Sequence, residues 1–151
     1  MINANEYLDL LLKESSQNQL KTILDSDIAY EILDRSKATG GTWSAGGCAI
    51  LAFALNKLFG YEIYVIYNLD KDNTEHFMVM NKESPSYFVD YYGKHQWDKE
   101  YTMDYKRDEM IEGDLVVKKW NSSIKSDGIP IDHSAISELV ELFKSENLNE
   151  L

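Results

Sequence analysis

The chain has 151 residues, 44% hydrophobic and 12% aromatic, and its 26 acidic against 15 basic residues leave a net charge of −11. That length and apolar content suit one domain with its own core and exclude a disordered chain. The charge repels phosphate backbones and argues against a nucleic-acid partner, while a single cysteine excludes an intrachain disulfide and a thiolate zinc site of the usual type.

The first residues, MINANEYLDLLLKESS, carry no basic stretch ahead of the apolar one and read as an amphipathic helix, not a signal peptide. Over 3–14, Tyr7, Leu8, Leu11 and Leu12 fall at helical spacing. A second helix is expected from about 18 to 24. A third starts at Ser26 or Asp27, either a good N-cap, and runs to about Lys37 with Ile28, Ile32 and Leu33 as its apolar stripe. ATGGTWSAGG, residues 38–47, holds four glycines in ten positions and must break regular structure.

CAILAFALNKLFG, residues 48–60, is apolar almost all round for two turns and is expected as a buried helix stopped by Gly60. No apolar run reaches the length of a membrane span. YEIYVIYN (61–68), HFMVMN (76–81) and YFVDYY (87–92) are β-branched and aromatic and read as strands. The connections LDKDNTE and KESPS are short and turn-rich, so an antiparallel meander is the natural pairing. Residues 93–113 are polar and are assigned to no element. DLVVKKW (114–120) is a possible fourth strand. IDHSAISELVELFKSE has helical spacing through Ile136, Leu139, Val140 and Phe143, with Asp132 or Ser134 as cap. The tail NLNEL is expected to fray.

Three residues stand in an order that suggests chemistry. Cys48 follows two glycines and opens the buried helix. The first turn of a helix offers unpaired N–H groups and a positive dipole end, which favour a thiolate. Gly46 and Gly47 leave the backbone bare for an approaching carbonyl. The Cys48 N–H, with one donor from 42–45, is a candidate oxyanion hole. His76 opens a strand two elements later and could take the thiol proton. Asp90 sits inside the next, otherwise apolar strand, sharing a face with Phe88, where it could orient the imidazole. Taken singly, a buried cysteine filler, a strand-end histidine and a solvent-facing aspartate are the plain alternatives. His95, in GKHQW, and His133, beside a helix cap, are weaker base candidates.

These stretches, WSAGGCAILAFAL (43–55), EHFMVM (75–80) and YFVDYYG (87–93), resemble the papain-like cysteine hydrolase superfamily, in its small bacterial and viral form. The resemblance implies an α+β fold, with N-terminal helices and a buried Cys-bearing helix packed on a small antiparallel sheet. It implies one domain over 1–151: a helical part to 37, a core at 42–93 and a C-terminal strand and helix at 114–146. It makes Cys48 the nucleophile, His76 the general base and acid, and Asp90 the orienting residue, acting on an amide, isopeptide or ester bond of a protein or peptide substrate. Papain-type peptidases carry a Gln shortly before the cysteine, and TGGTWSAGG has none. Thr42, Trp43 or Ser44 would then supply the second donor, with Trp43, Ser44 and Gly47 lining the cleft. No metal or organic cofactor and no membrane partner is implied, and the reducing cytosol is the expected compartment. The alternative is an inactive papain-like binding or inhibitor protein that uses its acidic surface.

Overall fold

The computed structural model describes residues 3–38, 41–82, 86–95 and 99–151. Thr39 and Gly40 of the glycine break, residues 83–85 of the KESPS turn, residues 96–98 and the side chain of Leu12 lie outside the described residues. The fold is α+β. In chain order it runs α1 (Ala4–Leu24), α2 (Asp27–Arg35), α3 (Cys48–Phe59), β1 (Glu62–Asn68), β2 (Asn73–Met80), β3 (Phe88–Asp90), β4 (Gly93–His95), α4 (Lys99–Asp108), β5 (Leu115–Lys119) and α5 (His133–Ser145).

Where two N-terminal helices were expected, α1 is continuous. The SSQN stretch between them contains neither Gly nor Pro, and burial of Ser16, Leu20, Ile23 and Leu24 carries the helix through it. A capping box between Asn3 and Glu6 fixes its start. Tyr7, Leu8 and Leu11 of the expected apolar stripe are exposed. In α2, Ser26 is the N-cap, and the buried face is Ala29, Ile32 and Leu33 instead of one that includes Ile28, which is exposed. Positions 29, 32 and 33 are the i, i+3, i+4 set of one helical face.

The apolar α3 lies between the sheet and α5, with Ile50, Leu51 and Leu55 fully buried. It stops at Gly60, whose φ of +73° only glycine adopts readily and whose N–H donates to the Asn56 carbonyl at 2.7 Å. No helix among the described residues is long and apolar enough to cross a membrane.

The strands form one antiparallel sheet in the order β4-β3-β2-β1-β5. The meander is as expected, extended by β4 beyond β3 and by β5 on the far edge of β1. Side chains alternate across it. Val65, Phe77, Val79 and Val89 face the helical layer of α2, α3 and α5. Ile66, Met78 and Phe88 face the other way and are covered by Tyr101 and Tyr105 of α4. That helix lies in the stretch left without an assignment, because its sequence KEYTMDYKRD is mostly polar and turns only Tyr101 and Tyr105 into this cluster, while Met103 is exposed.

The C-terminal tail does not fray. Leu148 and Leu151 are buried, the Tyr61 hydroxyl donates to the Leu151 carbonyl at 3.2 Å, and Gln19 donates to the carbonyls of Glu146 and Asn147. The two leucines give the tail apolar area to bury that its polar neighbours disguise.

Burial sets the cost of truncation. Leu55→Ala is expected to destabilise the chain by about 2–5 kcal/mol, and Leu8→Ala by less than about 0.5 kcal/mol. Urea unfolding of the two variants measures the contrast.

Candidate active site

The loop before α3 aims the helix. Gly46 has a φ of +80°. A Cβ on Gly47 would fall 2.6 Å from the Thr42 carbonyl oxygen and 2.8 Å from Leu33 Cδ1, so only glycine fits without a shift. The Thr42 hydroxyl accepts the Ala45 N–H at 2.9 Å, and the Thr42 carbonyl accepts the Gly47 N–H at 3.0 Å.

Two expected cleft residues therefore serve other purposes. Trp43 is 1% exposed and belongs to the core, where its indole N–H donates to the Leu24 carbonyl at 2.9 Å and pins the loop to the end of α1. The Gly47 N–H is taken up by Thr42, so Gly47 acts by its small size and not as an oxyanion donor. Ser44 does line the cavity beside the site, and its hydroxyl accepts from the Tyr92 hydroxyl at 3.2 Å. The backbone N–H of Cys48 has no hydrogen-bond partner among the described residues, which leaves it as a donor at the head of α3.

His76 is positioned by a bulge. The pairing of β1 with β2 shifts between Ile66 and Tyr67, so that Ile66 faces His76 while Tyr67 faces Thr74. Such a bulge re-aims the side chains beside it. β3 stops at Asp90, and its pairing with β2 covers only Val79 and Met80, so no strand pairs with His76 on that side. The ring is buried, and its Nε2–H donates to Asp90 Oδ2 at 2.9 Å. That bond fixes the tautomer of the neutral ring and leaves Nδ1 with a free lone pair. Nδ1 is buried without a hydrogen-bond partner. The Cys48 side chain is the ring's other polar neighbour, near enough to act on its charge.

Among the described residues, Asp90 accepts from four donors. His76 and the Tyr101 hydroxyl, at 3.2 Å, share Oδ2; His95 Nε2–H, at 2.8 Å, and the Tyr92 N–H, at 2.9 Å, share Oδ1. His95 also stacks on Tyr101 with centroids 4.5 Å apart. Tyr105 lies against the His76 ring at 5.2 Å. Thus Cys48, His76 and Asp90 come together as expected, and His95, Tyr101 and Tyr105 join them. The signal for the two tyrosines is their i, i+4 spacing on an otherwise polar helix. A cavity of about 400 Å³ opens on this group, lined by Ser44, His76, Asp90, His95 and α4.

The electrostatics couple the three residues. Burial alone would lower the pKa of His76; the hydrogen bond to Asp90, and after it the Cys48 side chain, outweigh burial and push it up to about 10. Burial alone would raise the pKa of Asp90; the bonds from His76 and His95 outweigh it and hold the carboxyl well below the usual range. Burial, then the Asp90 charge, pushes Tyr101 far above an ordinary phenol, so it stays a donor. No cluster of three or more His, Cys, Asp or Glu suited to a metal ion occurs among the described residues.

His76 binds its proton more tightly folded than unfolded. Its contribution to stability is complete below pH 6.5 and is lost as pH rises toward about 10. Asp90 contributes above pH 3.8, and that contribution is lost on acidification below it. Asp90→Asn is expected to bring the His76 pKa, read from ring 15N shifts, down toward or below 6.5. It is also expected to cost about 3–5 kcal/mol at pH 6 and to flatten the fall in stability at alkaline pH. An unchanged titration would show that the pair is not the source of the raised pKa. No family model matches the chain, and no curated protein or solved structure matches it.

Proposed function

We propose that the chain is a papain-like thiol hydrolase or acyltransferase acting on an amide, isopeptide or ester bond of a protein or peptide. The observation that carries this reading is the state of one ring: His76 has Nε2 tied to Asp90 and a buried, unpartnered Nδ1, with the Cys48 side chain as its neighbour. A buried nitrogen left without a partner costs about 1–3 kcal/mol, and a catalytic role accounts for its retention.

In this reading Nδ1 takes the proton of the Cys48 thiol, and Asp90 stabilises the imidazolium that results. The Cys48 sulfur attacks the substrate carbonyl carbon. The developing oxyanion sits at the positive end of α3, against the Cys48 N–H and the Ser44 side of the loop. Collapse of the tetrahedral intermediate breaks the carbonyl bond to the amine or alcohol, which leaves with the proton from His76. Water or an amine then attacks the thioester, gives its proton back to His76 and frees Cys48. A reducing cytosol suits such a thiol.

Cys48 and His76 are each about as buried as core residues, at 2% exposure, and Tyr105 of α4 lies against the His76 ring. Substrate entry therefore requires α4 to shift. Alkylation of Cys48 by iodoacetamide tests the chemistry. The rate is expected to stay high down to about pH 6 and to fall by about a hundredfold or more in His76→Ala. A rate that follows an ordinary thiol near pH 8.5, unchanged by the substitution, would remove the activated nucleophile and favour an inert binding protein.

A further inference from the structure

The cavity of about 400 Å³ beside His76 has a neighbour of about 360 Å³, which lies toward Gly46 and Thr74. The two share Ser44, Tyr105 and Glu109 as walls, and Cys48, which is buried, lines neither. Of the shared residues, Tyr105 is the one whose ring lies against His76, with centroids 5.2 Å apart. Burial, and after it the charge of the Cys48 sulfur, raises its hydroxyl far above an ordinary phenol, so that hydroxyl stands beside the nucleophile and stays protonated. The ring is thus a partition between two spaces at the level of Cys48. A side chain packed in a core has neighbours on every side, whereas Tyr105 has open space on two.

The two tyrosines of α4 are held unequally. Both rings pack on the cluster of Ile66, Met78 and Phe88, so the difference lies in their other bonds. Tyr101 donates to the Asp90 carboxylate at 3.2 Å, and its ring stacks on His95 and Phe88 at 4.5 and 6.3 Å. Tyr105 donates at 3.3 Å to the neutral carbonyl of Glu75, the residue that the bulge leaves out of the pairing of β1 with β2. A bond to a charged acceptor is roughly twice as strong as one between neutral groups. The helix is therefore fixed through Tyr101 and lightly latched one turn later, at Tyr105.

We propose that Tyr105 is the gate of the site. In the closed arrangement seen here it bars the way to Cys48. Its withdrawal, with the second half of α4, joins the two cavities into one cleft across the head of α3, with the thiol on the floor. The gate serves the acyl-transfer reading of Cys48, but closure itself is a matter of geometry. Tyr105 sets how often Cys48 is reached, and His76 sets the pH range in which it reacts.

Thiol reactivity tests the gate on the whole chain. Cys48 is alkylated at about pH 9, where an ordinary thiol is largely ionised, with iodoacetamide and with the bulkier N-phenylmaleimide. Tyr105→Ala is expected to raise the rate by about tenfold or more with iodoacetamide, and by at least as much with N-phenylmaleimide. Tyr105→Phe keeps the ring and loses only the bond to Glu75, and is expected to gain about threefold. Local opening exposes little surface, so neither gain should grow with urea below the unfolding transition. A folded Tyr105→Ala that reacts no faster than the wild type overturns the gate. So does a gain that climbs with urea, because it reports global unfolding. If Tyr105→Ala reacts faster while the pH profile of alkylation ignores His76, the acyl-transfer reading falls and the gate stands. If the profile depends on His76 while Tyr105→Ala gains nothing, the gate falls alone.

Discussion

A carboxylate buried to 6% side-chain exposure is costly unless its oxygens are occupied, and much of the site is arranged to occupy those of Asp90. Its four donors come from four places: His76 on β2, His95 on β4, the turn amide of Tyr92 and the hydroxyl of Tyr101 on α4. The charge therefore holds the short β3–β4 hairpin, the bulged end of β2 and the covering helix in one arrangement. A network of this kind is stiff while every member is satisfied. The orientation of His76 and the local packing at this end of the sheet are consequently the same set of bonds.

The consequence for His76 is a division of labour between its two nitrogens. Asp90 holds one nitrogen, so it is the other, Nδ1, that can exchange a proton with Cys48. Among the described residues, the Cys48 side chain is its polar neighbour. The glycines in front of α3 bring the helix head close, and Trp43, hydrogen-bonded to the end of α1, keeps that loop from drifting. The accuracy of the site thus depends on a tryptophan that never touches the cavity.

Much of this was legible in the sequence where periodicity and burial agree. The apolar run after Cys48 could only be a buried helix, and the period of two that puts Phe88 and Asp90 on one face places both under α4. Legibility failed where apolar area is sparse. α4 presents only Tyr101 and Tyr105 inward, and the tail only Leu148 and Leu151, so both read as polar segments. The same limit hid the role of His95, which lies in a polar stretch and acts through a carboxylate five residues earlier. Trp43 stayed open for a different reason: a tryptophan in a glycine loop suits a cleft and a core equally well, and its hydrogen bond to the Leu24 carbonyl decides for the core.

The two halves of the site differ in how they are held. Cys48, His76 and Asp90 sit on the central helix and on strands whose other faces form the main core. One wall of the cavity is set by α4, a polar helix that packs Tyr101 and Tyr105 against the sheet and places Asp104 and Asp108 on the cavity lining. Positions on its outer face have little to do with folding and set the shape and charge of the cavity. Descendants of this sequence could therefore exchange residues along that face while the residues beneath remain fixed, which makes α4 the wall of the cavity most open to evolutionary change.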